Sequence, residues 1–233
     1  MVGIVIISLD YNFECFEDIY TNLKIIAEWY IIIPMRTIVI LVRHGETVWN
    51  KKGLVQGQTD IPLSKKGIQQ AKMLAKRLKN SRISKIYASK LERAIKTAKY
   101  IEKEINIEIK THAGLNERSF GQLEGKPWSE IEQFFIGKPE DFFLKTPKNG
   151  ESYQTFEKRV IAVFDSILNK HKGETVAIVS HGGVIRVLIK YLSKTEIYEG
   201  SLPNTSVSIF NIENDQVRQE LLADASHLPS DKF

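Results

Sequence analysis

The sequence predicts an α/β domain in which helices flank a mostly parallel sheet. Two observations carry this. From residue 37 onward, short apolar runs alternate with stretches of helical periodicity. Near the end, TSVSIFNIENDQVRQELLA alternates in character and turns at Asn214-Asp215, as an antiparallel hairpin does. Strand–helix alternation of this kind implies layered packing around a mostly parallel sheet.

The elements follow in order. Residues 37–43 read as a strand that ends in Arg43, with His44 and Gly45 next. The stretch LSKKGIQQAKMLAKRLKN opens with Ser64 as N-cap and places Ile68, Ala71, Leu74, Ala75 and Leu78 at helical spacing. ISKIYAS is a short strand. Ser89 and Glu92 then stand in capping-box spacing, which starts a helix there. THAGLNE holds little more than a short extended piece. Val160, Val163, Phe164, Ile167 and Leu168 mark an amphipathic helix. ETVAIVS is a buried strand, and GGVIRVLIKYL the helix after it. Residues 124–153, with Pro127, Pro139 and Pro147, are irregular and read as an insertion on the main sheet.

The chain has 233 residues, 42% hydrophobic and 26% charged, enough for one large domain. Its net charge of +5 is spread out, with no compact basic block, so it favours an anionic ligand without indicating nucleic acid. One cysteine, Cys15, excludes an internal disulfide and fits a cytoplasmic location. Residues 1–34 carry neither a basic leader pattern nor a run long enough to span a bilayer. They read as an N-terminal extension of unknown role before a domain at 35–233. No membrane partner is implied, and oligomeric state is not legible.

In open α/β sheets, ligands bind beyond the carboxyl ends of the strands. That gathers Arg43, His44 and Gly45 with Arg93 and with Ser180, His181, Gly182 and Gly183. Two arginines, two histidines and several glycines suit an anion. Arg93 lies in the first turn of its helix, where a cation opposes the helix dipole and a bound anion would offset that cost. The plainer alternative is a surface arginine paired with Glu92. His112, His171 and His227 read as surface or packing residues. His44 and His181 have no third or fourth ligand at usable spacing, so no metal is expected. A phosphate-binding P-loop and a Gly-x-Ser-x-Gly elbow are both absent.

RHGETVWN at 43–50, GQTDIPLSKKGIQQA at 57–71, ASKLERAIKTA at 88–98, LNERSFGQLEG at 115–125 and SHGGVIR at 180–186 resemble the histidine phosphatase superfamily, the phosphoglycerate mutase-like group. The resemblance runs from Thr37 to about His227. It implies a three-layer sandwich with a mixed sheet, and phosphoryl transfer through a phosphohistidine without metal or cofactor. It makes His44 the nucleophile. Arg43, Arg93 and a protonated His181 become the phosphate-binding cations, Asn50 a further donor, and Glu117 the general acid. Gln56, Gly57 and Gly182 flank the phosphate, while Ser119, Glu124 and Glu151 support the site. The insertion aromatics Trp128, Phe134, Phe135, Phe142 and Phe143 either shape a leaving-group pocket or pack the insertion; Lys126, Lys138, Lys145 and Lys148 either attract an acidic substrate or form a solvated face.

The implied partner is a small phosphorylated molecule, and the implied reaction is hydrolysis with broad specificity. The alternatives are a cofactor-dependent phosphoglycerate mutase, an α-ribazole phosphatase, or an inactive phospho-ligand binder. Three departures disfavour the mutase. Gly57-Gln58 stands where those mutases have Gly-Trp, residues 125–152 contain no arginine, and His181-Gly182-Gly183 replaces His-Gly-Asn.

Overall fold

The computed structural model describes residues 36–134, 145–195, 198, 200–214 and 216–229. The expectations for residues 1–34, Lys138, Pro139, Asp215 and the side chains of Phe134, Phe135, Phe142 and Phe143 lie outside these.

Among the described residues, six strands form one sheet in the order β3-β2-β4-β1-β5-β6. They are β1 (Thr37–Arg43), β2 (Lys85–Ser89), β3 (Ile109–His112), β4 (Thr175–Ser180), β5 (Val207–Glu213) and β6 (Gln216–Asp224). The first four in spatial order are mutually parallel, and β5 and β6 add an antiparallel edge. The helices are α1 (Val48–Lys51), α2 (Lys65–Leu78), α3 (Glu92–Ile105), α4 (Trp128–Phe134), α5 (Tyr153–Lys170) and α6 (Gly182–Ser193).

Central strands bury both faces, and their side chains alternate between two cores. Val39 and Leu41 of β1 join Val176 and Ile178 of β4 against α5 and α6. Ile40 and Val42 join Ala177 and Val179 against α2 and α3. The result is a three-layer sandwich with the sheet in the middle. Parallel pairing sets Arg43 opposite Ser180, so His44 and His181 leave neighbouring strands side by side. The two antiparallel strands at the edge join into the expected hairpin, with Asn214 in the left-handed region at φ +49°.

Three local expectations change. Ser89 belongs to β2 and does not cap α3. The N-cap is Leu91, which offers no side-chain oxygen. Asp60 Oδ1, remote in sequence, accepts the Glu92 N–H at 2.8 Å instead. The Ser89 hydroxyl is engaged by His181, Asn116 and the Leu91 N–H. The extended piece after β3 continues into a 3₁₀ turn, Ala113–Leu115. The irregular 124–153 segment contains α4, and Ile131 of that helix packs with Val55 and Phe120 in a small separate cluster.

Candidate active site

A cavity of about 680 Å³ opens at the carboxyl end of the parallel strands. Arg43, His44, Asn50, Gln56, Gly57, Arg93, Glu117, Gly182 and Gly183 line one end. Leu54, Phe120, Trp128, Tyr153, Arg186, Lys190 and Tyr198 are among the residues lining the rest.

His44 is 3% exposed, and its Nδ1 lies 2.7 Å from the Gly45 carbonyl oxygen. A carbonyl only accepts, so Nδ1 carries the proton and Nε2 keeps a lone pair. Burial, with the charges of Arg93 and Arg43, holds its pKa well below the ordinary 6.5. A neutral imidazole with an available Nε2 is the nucleophilic form.

The backbone around His44 is held tightly. The His44 N–H donates to the Ser180 carbonyl at 2.9 Å, and the Gly45 N–H to Thr97 Oγ1 at 3.0 Å. A Cβ on Gly45 would stand 2.6 Å from the Gly67 carbonyl oxygen, so only glycine permits α2 to approach this closely. From the other side, the Thr205 N–H reaches the carbonyls of Arg43 and His44, and Asn204 Nδ2 donates to the His44 carbonyl at 3.0 Å. Thr205 is buried and β-branched at φ +61°, a conformation costing on the order of 1–3 kcal/mol. Sequence reasoning missed Asn204 and Thr205. The available signal was that β5 runs antiparallel to β1, so the residues just before it lie beside the end of β1.

Arg43 donates from Nη1 to the Leu202 carbonyl, while its buried Nε has no hydrogen-bond partner among the described residues. An unpartnered buried donor is costly, and a ligand oxygen would satisfy it. The absence of a side chain on Gly182 keeps the space beside that Nε open, since even a Cβ there would come within 3.7 Å of it. Burial lowers the Arg43 pKa to about 10, opposed by Glu117, so the group stays cationic at neutral pH.

Arg93 is 1% exposed rather than a surface residue, and Glu92 pairs with Lys96 instead. Its Nη2 donates to the Gly57 carbonyl at 2.7 Å, Nη1 to the Thr59 carbonyl at 2.9 Å, and Nε to His181 Nδ1 at 3.2 Å. Each terminal nitrogen retains a second N–H for a ligand. Burial, countered by Glu117, brings its pKa to about 10.

The expected protonated His181 is corrected. Arg93 Nε can only donate, so His181 Nδ1 accepts and Nε2 carries the proton, directed at Ser89 Oγ 2.7 Å away. The ring is fully buried, and burial with neighbouring Arg93 pushes its pKa well below 6.5. His181 is therefore a neutral bridge between Arg93 and Ser89. Its ring centroid lies 5.1 Å from that of His44, and it is absent from the cavity lining.

The Glu117 carboxylate accepts from its neighbour's Arg118 N–H through Oε1 at 2.9 Å and from the Gly183 N–H through Oε2 at 2.9 Å. Gly183 stands in the first turn of α6, so this carboxylate occupies a helix N-terminus. Asn50 closes a capping box with Thr47, and its Oδ1 accepts from the Thr47 N–H. The acceptor is thereby tied to protein, and Asn50, which lines the cavity, keeps its Nδ2 amide as a donor. Gln56 Oε1 accepts from Thr47 Oγ1 at 2.8 Å. Gly57 adopts φ +50°, and a Cβ there would collide with Glu124. Glu124 accepts the N–H groups of Gln58, Thr59 and Phe120, fixing the loop whose carbonyls hold Arg93. Gln58 donates from Nε2 to the Glu117 carbonyl at 3.0 Å.

Of the insertion residues, Trp128 is half-exposed at the cavity rim, and Lys126 pairs with Glu130 on the surface. His171 is buried against Tyr87 and Glu174, and His227 contacts Arg77 and Thr205. Both pack, as read; neither lies at the cavity. No helix among the described residues is long and apolar enough to cross a membrane.

The family model of the histidine phosphatase superfamily, branch 1, matches residues 39–225. A metal-independent phosphoserine phosphatase of Arabidopsis thaliana is 36% identical over 208 residues, covering 84% of this chain and 85% of the relative. Phosphoglycerate mutase-like protein 4 of the same plant is 34% identical over 206 residues, covering 84% and 88%. Among solved structures, Bacillus stearothermophilus YhfR superposes with a TM-score of 0.75 at 34% identity, covering 82% of this chain and 98% of that one. A phosphoserine phosphatase mutant from Entamoeba histolytica in complex with phosphoserine gives a TM-score of 0.74 at 29% identity, covering 83% and 100%. The chain belongs to the histidine phosphatase superfamily, branch 1.

Proposed function

We propose that this chain is a phosphatase that hydrolyses phosphate monoesters of small molecules, with broad specificity, through a phosphohistidine on His44. The observation that carries the reading is a neutral His44 with an available Nε2, lining the same cavity as Arg43 and Arg93. In the first step, the Nε2 lone pair attacks phosphorus. The P–O ester bond breaks, its electrons pass to the leaving oxygen, and Glu117 delivers a proton there. In the second, Glu117 takes a proton from water, water attacks phosphorus, and the P–N electrons return to Nε2. Arg43 Nε, the second N–H groups of Arg93 and the Asn50 amide receive the phosphoryl oxygens as charge develops on them. Each step balances with water alone. Among the described residues, no three His, Cys, Asp or Glu side chains cluster as a metal site requires.

Arg186 brings positive charge to the rest of the cavity, which suits a phosphorylated small acid, while Lys190 beside it is paired with Glu157 at 2.8 Å. Two relatives and two superposed structures are phosphoserine phosphatases by name, so phosphoserine belongs first in a substrate panel. In this reading residues 35–233 form the catalytic domain, in a cytoplasmic protein, and 1–34 is an extension outside it. The test separates hydrolysis from isomerisation. The protein is incubated with phosphoserine and with 3-phosphoglycerate, the latter with and without 2,3-bisphosphoglycerate, and free phosphate and 2-phosphoglycerate are both measured. Phosphate release with little 2-phosphoglycerate is expected. Rapid isomerisation with little free phosphate would make the chain a mutase.

A further inference from the structure

We infer that Arg159, locked by Glu151, is the positioning residue that sets the general acid Glu117 at the cavity. The inference rests on the role proposed for Glu117.

The segment carrying Glu117 has almost no regular structure of its own. Between the 3₁₀ turn at Ala113–Leu115 and the next at Gly121–Leu123, residues 116–120 pair with no strand. Something else must satisfy their polar backbone. Arg159, from the second turn of α5, does so. Its Nη1 donates to the Gly114 carbonyl at 2.9 Å and to the Asn116 carbonyl at 2.8 Å. Its Nη2 donates to the Glu117 carbonyl at 2.8 Å. The remaining donors, Nε and the second Nη2 hydrogen, grip the Glu151 carboxylate at 2.7 and 2.9 Å. All five N–H donors of the guanidinium are used, in the fork geometry that only arginine provides.

Glu151 is itself anchored to the same segment. Its N–H donates to the Ser119 carbonyl at 2.9 Å, and its carbonyl accepts from Arg118 Nε at 3.0 Å. The Glu151–Arg159 pair therefore fixes the guanidinium in one orientation, and the guanidinium fixes the backbone on which Glu117 sits. The pair is only partly exposed, 13% for Glu151 and 22% for Arg159. Arg159 does not line the cavity, so it acts through Glu117 and not on a ligand.

A displaced acid penalises leaving groups that need a proton and spares those that leave as stable anions. A purely structural arginine would penalise both alike. The test compares kcat/KM, which reports phosphoenzyme formation and not the second step that both esters share, on p-nitrophenyl phosphate and on glycerol 2-phosphate for the full chain and for Arg159→Lys, Glu151→Gln, Glu117→Gln and the double variant Arg159→Lys/Glu117→Gln. Active sites are counted by phosphoenzyme formation, so a poorly folded fraction is not scored as slow chemistry. Arg159→Lys should lose about 10²-fold on glycerol 2-phosphate, the loss expected of a roughly 1 Å misplacement, with less than a few-fold change on the aryl ester. Glu151→Gln should lose in the same direction but less, since the amide still accepts one N–H. In the double variant the Arg159 loss should vanish. Equal losses on both esters, a loss that persists in the Glu117→Gln background, or lowered thermal stability with unchanged kinetics would each overturn the inference. If Glu117→Gln alone slows both esters equally, the acid role itself fails, whatever Arg159 does.

Discussion

A methyl group on residue 183 would stand 2.3 Å from Glu117 Oε1. That atom ends a pivoting side chain, so the carboxylate would yield and the backbone would not. Gly183 also has no left-handed backbone to forbid alanine, and Gly→Ala inside a helix favours the fold by up to about 1 kcal/mol. Gly183→Ala is therefore expected to leave the melting temperature unchanged or slightly raised. The kcat/KM for glycerol 2-phosphate should fall about 10²-fold while that for p-nitrophenyl phosphate is largely spared. Side-by-side kinetics and a thermal melt check this, and equal losses on both esters would remove the contact from the acid's support. The same collision gives His181-Gly182-Gly183 a physical meaning: in this chain any larger residue at 183 competes with Glu117. Strand ends brought Arg43, His44 and Arg93 together in the sequence and the motif resemblance added Glu117, and all four line one cavity. The sequence hid the state of His181, whose proton is decided by two partners, Arg93 Nε and Ser89 Oγ, that only the folded chain brings together.

At the scale of elements, α3 carries Arg93 in its first turn, against the helix dipole. Asp60 offsets this from the loop before α2 by accepting the Glu92 N–H. Removing such a cap costs about 0.5–2 kcal/mol, whereas asparagine caps nearly as well. Asp60→Ala should lower stability by that amount in a denaturant melt, and Asp60→Asn should recover most of it. Equal losses in the two variants would show that charge, not capping, is what Asp60 supplies. Helix and strand spans were legible because Leu74, Leu78, Val160 and Phe164 repeat with helical period, and because 38–42 is apolar throughout. The cap was not. Ser89 fitted the local pattern, and the competing partners that claim its hydroxyl, the acceptor Asn116 Oδ1 and the donor His181 Nε2, are remote in sequence. Helix α4 was also missed, since prolines flanking a short segment read as irregular chain.

For the whole molecule, burying two neutral histidines makes stability depend on pH. Both have folded pKa values well below 6.5, while in the unfolded chain they titrate near that value. Below pH 6.5 the unfolded chain takes up protons that the folded one does not, so stability falls as pH falls. Each histidine contributes a slope of at most about 1.4 kcal/mol per pH unit, and neither contributes above pH 6.5. Glu174, held down to about 2 by His171 and Ser84, adds stability above the ordinary glutamate range that is lost only as pH drops toward that value. The melting temperature should be nearly flat from pH 8 to 7 and decline clearly between 6.5 and 5. A flat profile down to pH 5 would contradict the neutral, buried histidine pair. The layered fold was readable from strand–helix alternation. The order β3-β2-β4-β1-β5-β6, which puts β1 and β4 side by side and so creates the site, is a long-range pairing that alternation alone does not specify.

The most direct test of the account is whether His44 carries the phosphoryl group. The protein is mixed with radiolabelled phosphoserine or aryl phosphate, quenched within a turnover, and the bound label is followed in acid and in base. Label that is lost in acid, survives base and is absent from His44→Ala is the predicted result, and it should still form at pH 6 because His44 stays neutral there. Label persisting on the His44→Ala protein, or hydrolysis of phosphate esters by that variant at an undiminished rate, would contradict it.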